Sequence, residues 1–265
     1  MLLIRIFFLL LILLFSCQKT QNYSKILVFG HAGMGLEMSN SIYHNNSKEA
    51  IELALNIPGS NGVEIDIQQD LNGVLWLFHD EKLDNTVNSS GCISNKTTAE
   101  LENLIYLSHK KEKLRKLAEI NFDNYPDKTI FLDLKFWNSC VENYSSAAKF
   151  KEALLLLNIN QKDNCFLIIP NELFLDEFSN DFNVLFASDN FDLANNLLVQ
   201  DTLIKGVVIR NSKINSNQVN LILNLKRLIF LFEMRSPKGI KSALNKNPTG
   251  IISDDLRAAI IQKRN

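Results

Sequence analysis

The feature that most constrains this chain is a series of short apolar runs, recurring along its length with amphipathic stretches between them. They occupy residues 26–29, 63–67, 130–134, 166–169, 184–186, 206–209, 228–232 and 250–252. Runs this continuous, without strict alternation, read as strands buried on both faces, the environment of a parallel sheet. Helix starts lie between them: Asn46 with Glu49 three residues on, Thr97 with Glu100, and Ser236 followed by Pro237. Eight strands alternating with helices over about 230 residues predict a TIM-type (β/α)8 barrel rather than a doubly wound sheet.

One segment departs from the alternation. The run ending at Ile67 is followed closely by Val74 to Phe78, with Asn72-Gly73 between them, the strongest short hairpin pattern. With Asn72 and Gly73 as the two central turn residues, Asp66 is expected opposite His79, and Glu64 and Asp66 share a face. Only 48 positions separate Glu81 from Thr129, which leaves no room for a large inserted domain.

The N-terminus carries Arg5 and then an unbroken apolar run from Ile6 to Phe15, shorter than the roughly 20 residues a spanning helix needs. It reads as the core of a signal peptide. Its end, Leu14-Phe15-Ser16-Cys17, resembles the bacterial lipobox, whose cysteine is acylated. The expected organisation is a leader over 1–16, a tether over 17–24 and one barrel domain over 25–265, lipid-anchored at the bacterial cell envelope. In that compartment Cys92, Cys140 and Cys165 become candidates for disulfides, though three is an odd number. Cys165 stands in an apolar run and is expected in the core. With 28 basic and 29 acidic residues, no global field would recruit nucleic acid.

The residues that carry chemistry interrupt the apolar runs. His31 follows the first run between Gly30 and Gly33, at the strand end where a barrel places catalytic groups. Glu64 and Asp66 sit inside the second run, where two anions are costly without a partner and suit a hard divalent cation. His79-Asp80 closes the return strand, and Asp133 interrupts the third parallel run with Lys135 two positions later on the same face. Three other candidates read more blandly. His44 is expected as an exposed residue before a helix. His109, with Lys110, Lys111, Lys113, Arg115 and Lys116, is expected as a solvated helix face, and Phe232 as core or pocket lining.

In order, these elements read GHAG at 30–33, HNNS at 44–47, EID at 64–66, LNG at 71–73, HD at 79–80 and DLK at 133–135, with TGIISDD at 249–255. The series resembles the glycerophosphodiester phosphodiesterases, whose pattern runs Gly-His-Arg-Gly, Pro-Glu-Asn-Thr, Glu-x-Asp, Asp-Gly, His-Asp and Glu-x-Lys. The likeness implies a metal-dependent barrel that cleaves glycerophosphodiesters to glycerol 3-phosphate and an alcohol. It makes His31 and His79 the acid–base pair, Glu64, Asp66 and Asp133 ligands of Ca2+ or Mg2+, and Lys135 a phosphate neighbour. Three departures stand out: Ala32 replaces the family arginine, His44-Asn45 replaces Pro-Glu, and Asp133 replaces a glutamate. Arg210 and Arg235, which follow apolar strands, are the candidates to supply the missing cation. A catalytically weak binding protein and a phospholipase acting on intact lipids are the competing expectations.

Overall fold

The computed structural model describes residues 23–35, 41–137, 139–140 and 146–264. Cys17 and the leader expected over 1–16 lie outside these residues. All eight expected runs form strands, and an additional short one completes the hairpin: β1 Leu27–Gly30, β2 Gly62–Gln69, β3 Leu75–Leu77, β4 Thr129–Leu134, β5 Cys165–Ile169, β6 Asn183–Ala187, β7 Ile204–Arg210, β8 Leu228–Phe232 and β9 Gly250–Ser253. β1 pairs in parallel with both β9 and β2, so the eight parallel strands close into a barrel. β3 is appended antiparallel to the outer end of β2. Helices α1 Lys48–Asn56, α2 Thr98–Leu101, α3 Ala147–Leu156, α4 Leu175–Phe178, α5 Phe191–Gln200, α6 Ser216–Asn224, α7 Pro237–Asn245 and α8 Leu256–Arg264 occupy the connections.

Alternation along each strand divides the apolar residues between two cores. Phe29, Phe131, Ile168, Leu185, Val208, Phe230 and Ile252 point inward and fill the barrel. Phe131 is the hub of this plug: its ring centroid lies 4.8 Å from both Phe29 and Phe230. Their neighbours in sequence, among them Val28, Ile130, Leu132, Leu167, Val184, Val207, Ile229 and Ile251, pack outward with the helices. Continuous apolar runs are therefore required on every strand, and any polar residue of inward parity beyond the plug is delivered to the barrel mouth.

The cap at Thr97 is a complete capping box, and Ser236 caps α7 with Pro237 in its first turn. At α1 the cap is Ser47, which accepts from the Ala50 N–H at 3.1 Å, rather than Asn46. Asn46 lies in the left-handed region at φ 55°, and its side chain turns toward β2.

The hairpin register differs from expectation by one residue. Ile67, Gln68 and Gln69 face Leu77, Trp76 and Leu75, so Phe78, not His79, comes opposite Asp66 and donates to its carbonyl at 3.0 Å. The cause is Asp70: its N–H bonds the Val74 carbonyl, and its Oδ1 accepts from the N–H groups of Asn72 and Val74. This closes a three-residue loop, with Gly73 at φ 88°, in place of a two-residue turn.

The residues after β3 form a small lobe with a core of its own, built on Trp76, Phe78, Leu83, Val87, Ile93, Leu101, Tyr106 and Leu114. The basic segment from His109 to Lys116 belongs to this lobe and is loop, not helix. Isolated bridges pair Ile105 with Lys113 and Trp76 with Lys116, and they hold it extended. A Cys92–Cys140 disulfide joins the lobe to the loop after β4. Cys165 is buried and unbridged, as expected, with its thiol pushed by burial up to about 12. Breaking the cross-link with Cys92→Ser should lower the unfolding free energy by about 2–4 kcal/mol, read from the denaturant midpoint. An unchanged midpoint would contradict this account of the lobe.

Candidate active site

The candidate side chains on or just after β1, β2, β4, β7 and β8 reach the mouth by the parity of their strands, whereas His79 and Arg235 arrive from the loops that follow β3 and β8. His31 continues the inward series of Phe29, Glu64 and Asp66 lie on the inward face of β2, and Asp133 and Lys135 continue that of Phe131. Arg210 follows Val208 in the same way, and Phe232 follows Phe230. His31, Glu64, His79, Asp133, Lys135, Arg210, Phe232 and Arg235, all expected at the site, line one cavity of about 330 Å³ above the plug. Asp66 sits behind them, 1% exposed.

The backbone around His31 is folded too tightly for a side chain at Gly30 or Gly33. A Cβ on Gly30 would lie 1.8 Å from the Gly33 carbonyl oxygen, and Gly33 itself holds φ at 95°. This fold turns the Ala32 N–H toward Glu64, whose Oε2 accepts it at 2.8 Å. Ala32 is wholly buried.

The two histidines are held alike. The Nδ1 of His31 lies 2.7 Å from Oδ1 of Asp254, and the Nδ1 of His79 lies 2.9 Å from Oδ1 of Asp80. Because a carboxylate only accepts, each Nδ1 carries the hydrogen and each Nε2 is left for chemistry. Burial alone would lower His31, but Asp254 and Glu64 outweigh it and raise the ring to about 9. His79 is raised chiefly by its bond to Asp80. Asp80 is fixed in turn by the Thr86 hydroxyl at 2.7 Å, and its carbonyl accepts from Gln68 Nε2 at 2.7 Å.

The acids are bridged by one cation. Lys135 Nζ lies 2.8 Å from Asp66 Oδ1 and 2.6 Å from Asp133 Oδ2. Burial, with Asp66 beside it, pushes Glu64 up to about 8, whereas Lys135 and the histidines hold Asp66 far below the usual carboxylate range despite its burial. Oxygens of Glu64, Asp66 and Asp133 lie within 4.8 Å of one another, and Asp133 Oδ1 is buried without a hydrogen bond. Three convergent hard-oxygen donors, with Asp133 Oδ1 unsatisfied, fit a hard divalent cation.

Three residues of this arrangement escape the sequence reading. Asp254, 1% exposed, holds His31; the available signals are its place in the TGIISDD segment and its inward parity two residues after Ile252. Asn46 clamps Asp66, donating from Nδ2 to Oδ2 at 2.7 Å and accepting the Asp66 N–H at 2.9 Å. Gln68, on the inward face of β2, anchors the segment that carries His79. His44 is half-buried rather than exposed, stacked on Tyr106 at 4.0 Å, with burial lowering its pKa. Asn46→Ala should leave a buried amide and a buried carboxylate oxygen without these partners. The expected loss is about 1–3 kcal/mol of stability by chemical denaturation, and a variant as stable as the parent would contradict the clamp.

Comparison with known proteins agrees with this geometry. Residues 31–190 match the Glycerophosphoryl diester phosphodiesterase family. A stretch of 75 residues is 36% identical to a glycerophosphodiester phosphodiesterase of Bacillus altitudinis, spanning 28% of this chain and 28% of that relative. An Oleispira antarctica phosphodiesterase solved in complex with the product sn-glycerol-3-phosphate has the same fold, with a TM-score of 0.74 at 18% identity over 92% of this chain and 99% of its own. A glycerophosphodiester phosphodiesterase of Parabacteroides distasonis superposes with a TM-score of 0.74 at 18% identity over 91% of this chain and 97% of its own. The protein of that name from Thermotoga maritima gives 0.70 at 18% identity over 91% and 98%. With 160 residues matched, from the inward histidine after β1 to the loop after β6, the chain belongs to the glycerophosphoryl diester phosphodiesterase family.

Proposed function

We propose that this protein is a divalent-metal-dependent hydrolase that cleaves glycerophosphodiesters to glycerol 3-phosphate and an alcohol. The observation that carries the proposal is the pair of carboxylate-held histidines, His31 and His79, lining the same cavity as Glu64, Asp133 and Lys135. Glu64, Asp66 and Asp133 would hold the metal, which supplies a Lewis acid that neutralises the phosphate oxygens. In the hydrolysis a water oxygen bonds to phosphorus as the bond from phosphorus to the alcohol oxygen breaks. One histidine takes the proton of the water and the other gives its proton to the departing oxygen, each such transfer contributing roughly 10² to 10⁴ in rate. Asp254 and Asp80 keep both rings in the productive tautomer, as the carboxylate of a catalytic triad does.

The family arginine is absent at Ala32, and Arg210 is the best-placed substitute. Its Nε bonds Asp189 at 2.9 Å and its Nη1 bonds Glu233 at 2.8 Å, with the guanidinium 5.2 Å from the Phe232 ring centroid. So held, it lines the cavity with N–H groups still available to a phosphate oxygen. Arg235 lines the same cavity from an exposed position. The Cys92–Cys140 disulfide suits an oxidising compartment and therefore supports export, with Cys17 as the lipid-bearing residue at the cell envelope.

The purified protein with Ca2+ or Mg2+ should hydrolyse glycerophosphocholine and lose turnover on chelation or in His31→Ala. Full activity after chelation would overturn the mechanism. Arg210→Ala should lower kcat/KM by about tenfold to a hundredfold, the worth of a charge-assisted bond to phosphate, and an unaffected value would remove Arg210 from the site. Cys17→Ala should move the protein from the membrane to the soluble fraction with loss of the acyl mass, and unchanged partitioning would rule out the anchor.

A further inference from the structure

The catalytic cavity has a neighbour. A second cavity of about 400 Å³ opens at the ends of β5 and β6 and shares Ala187, Arg210 and Phe232 with the first. A phosphodiester carries two arms, and with phosphorus held beside Glu64 and Asp133 one of them can pass the Arg210–Phe232 wall into this space. We propose that the second cavity is the subsite for the alcohol arm and that it selects alcohols bearing a positive charge, of the ethanolamine or choline type. The inference rests on the phosphodiester hydrolysis put forward above.

The lining sets the preference. Asn171, Ser188 and Leu193 give the cavity a mixed wall, and its charged members are Glu172, Asp189 and Arg210. Arg210 is already shared between Asp189 and Glu233, while among the described residues no ion pair engages Glu172. On this wall Glu172 and Asp189 outnumber Arg210, whose charge is already met by Asp189 and Glu233, so the exposed, unpaired Glu172 leaves a negative field that favours a cation over a neutral or anionic arm. The apolar part points the same way. Phe186 and Phe232 line the space, and the Phe232 ring already carries the Arg210 guanidinium over its face. Aromatic surface beside carboxylates is the usual setting for ammonium and quaternary ammonium groups. An arm ending in a carboxylate or a second phosphate would meet like charge and be rejected.

The test compares kcat/KM of the metal-loaded full-length protein for glycerophosphocholine, glycerophosphoethanolamine, glycerophosphoglycerol and glycerophosphoserine, with bis(4-nitrophenyl) phosphate as an uncharged-arm reference. Both cationic substrates should be preferred over glycerophosphoglycerol by about tenfold at low ionic strength, with the ratio shrinking as salt is added. Glu172→Lys should abolish the preference while bis(4-nitrophenyl) phosphate turnover stays within about twofold of the parent, and Glu172→Gln should fall between. Equal turnover of all four glycerophosphodiesters, or a preference unaltered in both Glu172 variants, overturns the subsite and leaves the hydrolase intact. Failure to hydrolyse any of the five diesters overturns the hydrolase and the subsite with it.

Discussion

The convergence of Glu64, Asp66 and Asp133 on one point inside a barrel is the constraint on which the rest of the site depends. Three carboxylates on adjacent strands β2 and β4 would repel one another if left alone in an apolar setting. Lys135 bridges two of them, Asn46 ties the deepest one to the β1–α1 loop, and the Ala32 N–H satisfies Glu64. The opposite displacements of Glu64 and Asp66 follow, since the cation reaches Asp66 while Glu64 is left with burial and a like charge. A divalent ion among these oxygens would offset the burial and like charge that raise Glu64, as Lys135 already does for Asp66.

Beneath the acids, the Phe29–Phe131–Phe230 contact closes the barrel and makes the site one-sided. The mouth draws its residues from strands all around the barrel, which is why distant positions such as His31, Arg210 and Asp254 meet there. On the side of β1, β2 and β4 the mouth presents His31, Glu64 and Asp133. On the β6–β8 side Arg210 is clamped by Asp189 and Glu233 over Phe232, and its proposed role as the phosphate-binding cation in place of the arginine replaced by Ala32 rests on this placement. Glu233 holds φ at 63° to make its part of that clamp, a conformation that costs a non-glycine residue energy and that its pairing with Arg210 offsets.

Much of this was legible in the sequence because it follows from the period of a strand. Continuous apolar runs marked β1, β2 and β4 to β9; the inward positions of Asp133 and Arg210 follow from counting in twos from Phe131 and Val208, and those of Glu64 and Asp66 from alternation with the outward Val63, Ile65 and Ile67. What was not legible depends on contacts between distant segments. Asp254 reads as one of two adjacent acids after a strand until the closure of β9 on β1 brings it to His31. Asn46 looks like a helix cap, and only the neighbouring Ser47 hydroxyl, free to take that role, releases it to hold Asp66. The hairpin slipped by one position because the Asp70 side chain, not the Asn-Gly pair, dictates the loop. Cys92 and Cys140 lie 48 residues apart, and their pairing depends on how the small lobe packs over the loop after β4.

Calorimetric titration of metal into the chelator-treated protein tests, without reference to turnover, whether Glu64, Asp66 and Asp133 form a divalent-cation site. Ca2+ or Mg2+ is expected to bind with a stoichiometry of about one ion per chain, release protons as Glu64 ionises, and lose measurable affinity in Glu64→Gln. Absence of saturable binding in the parent protein, or binding of undiminished affinity in Glu64→Gln, would contradict the account.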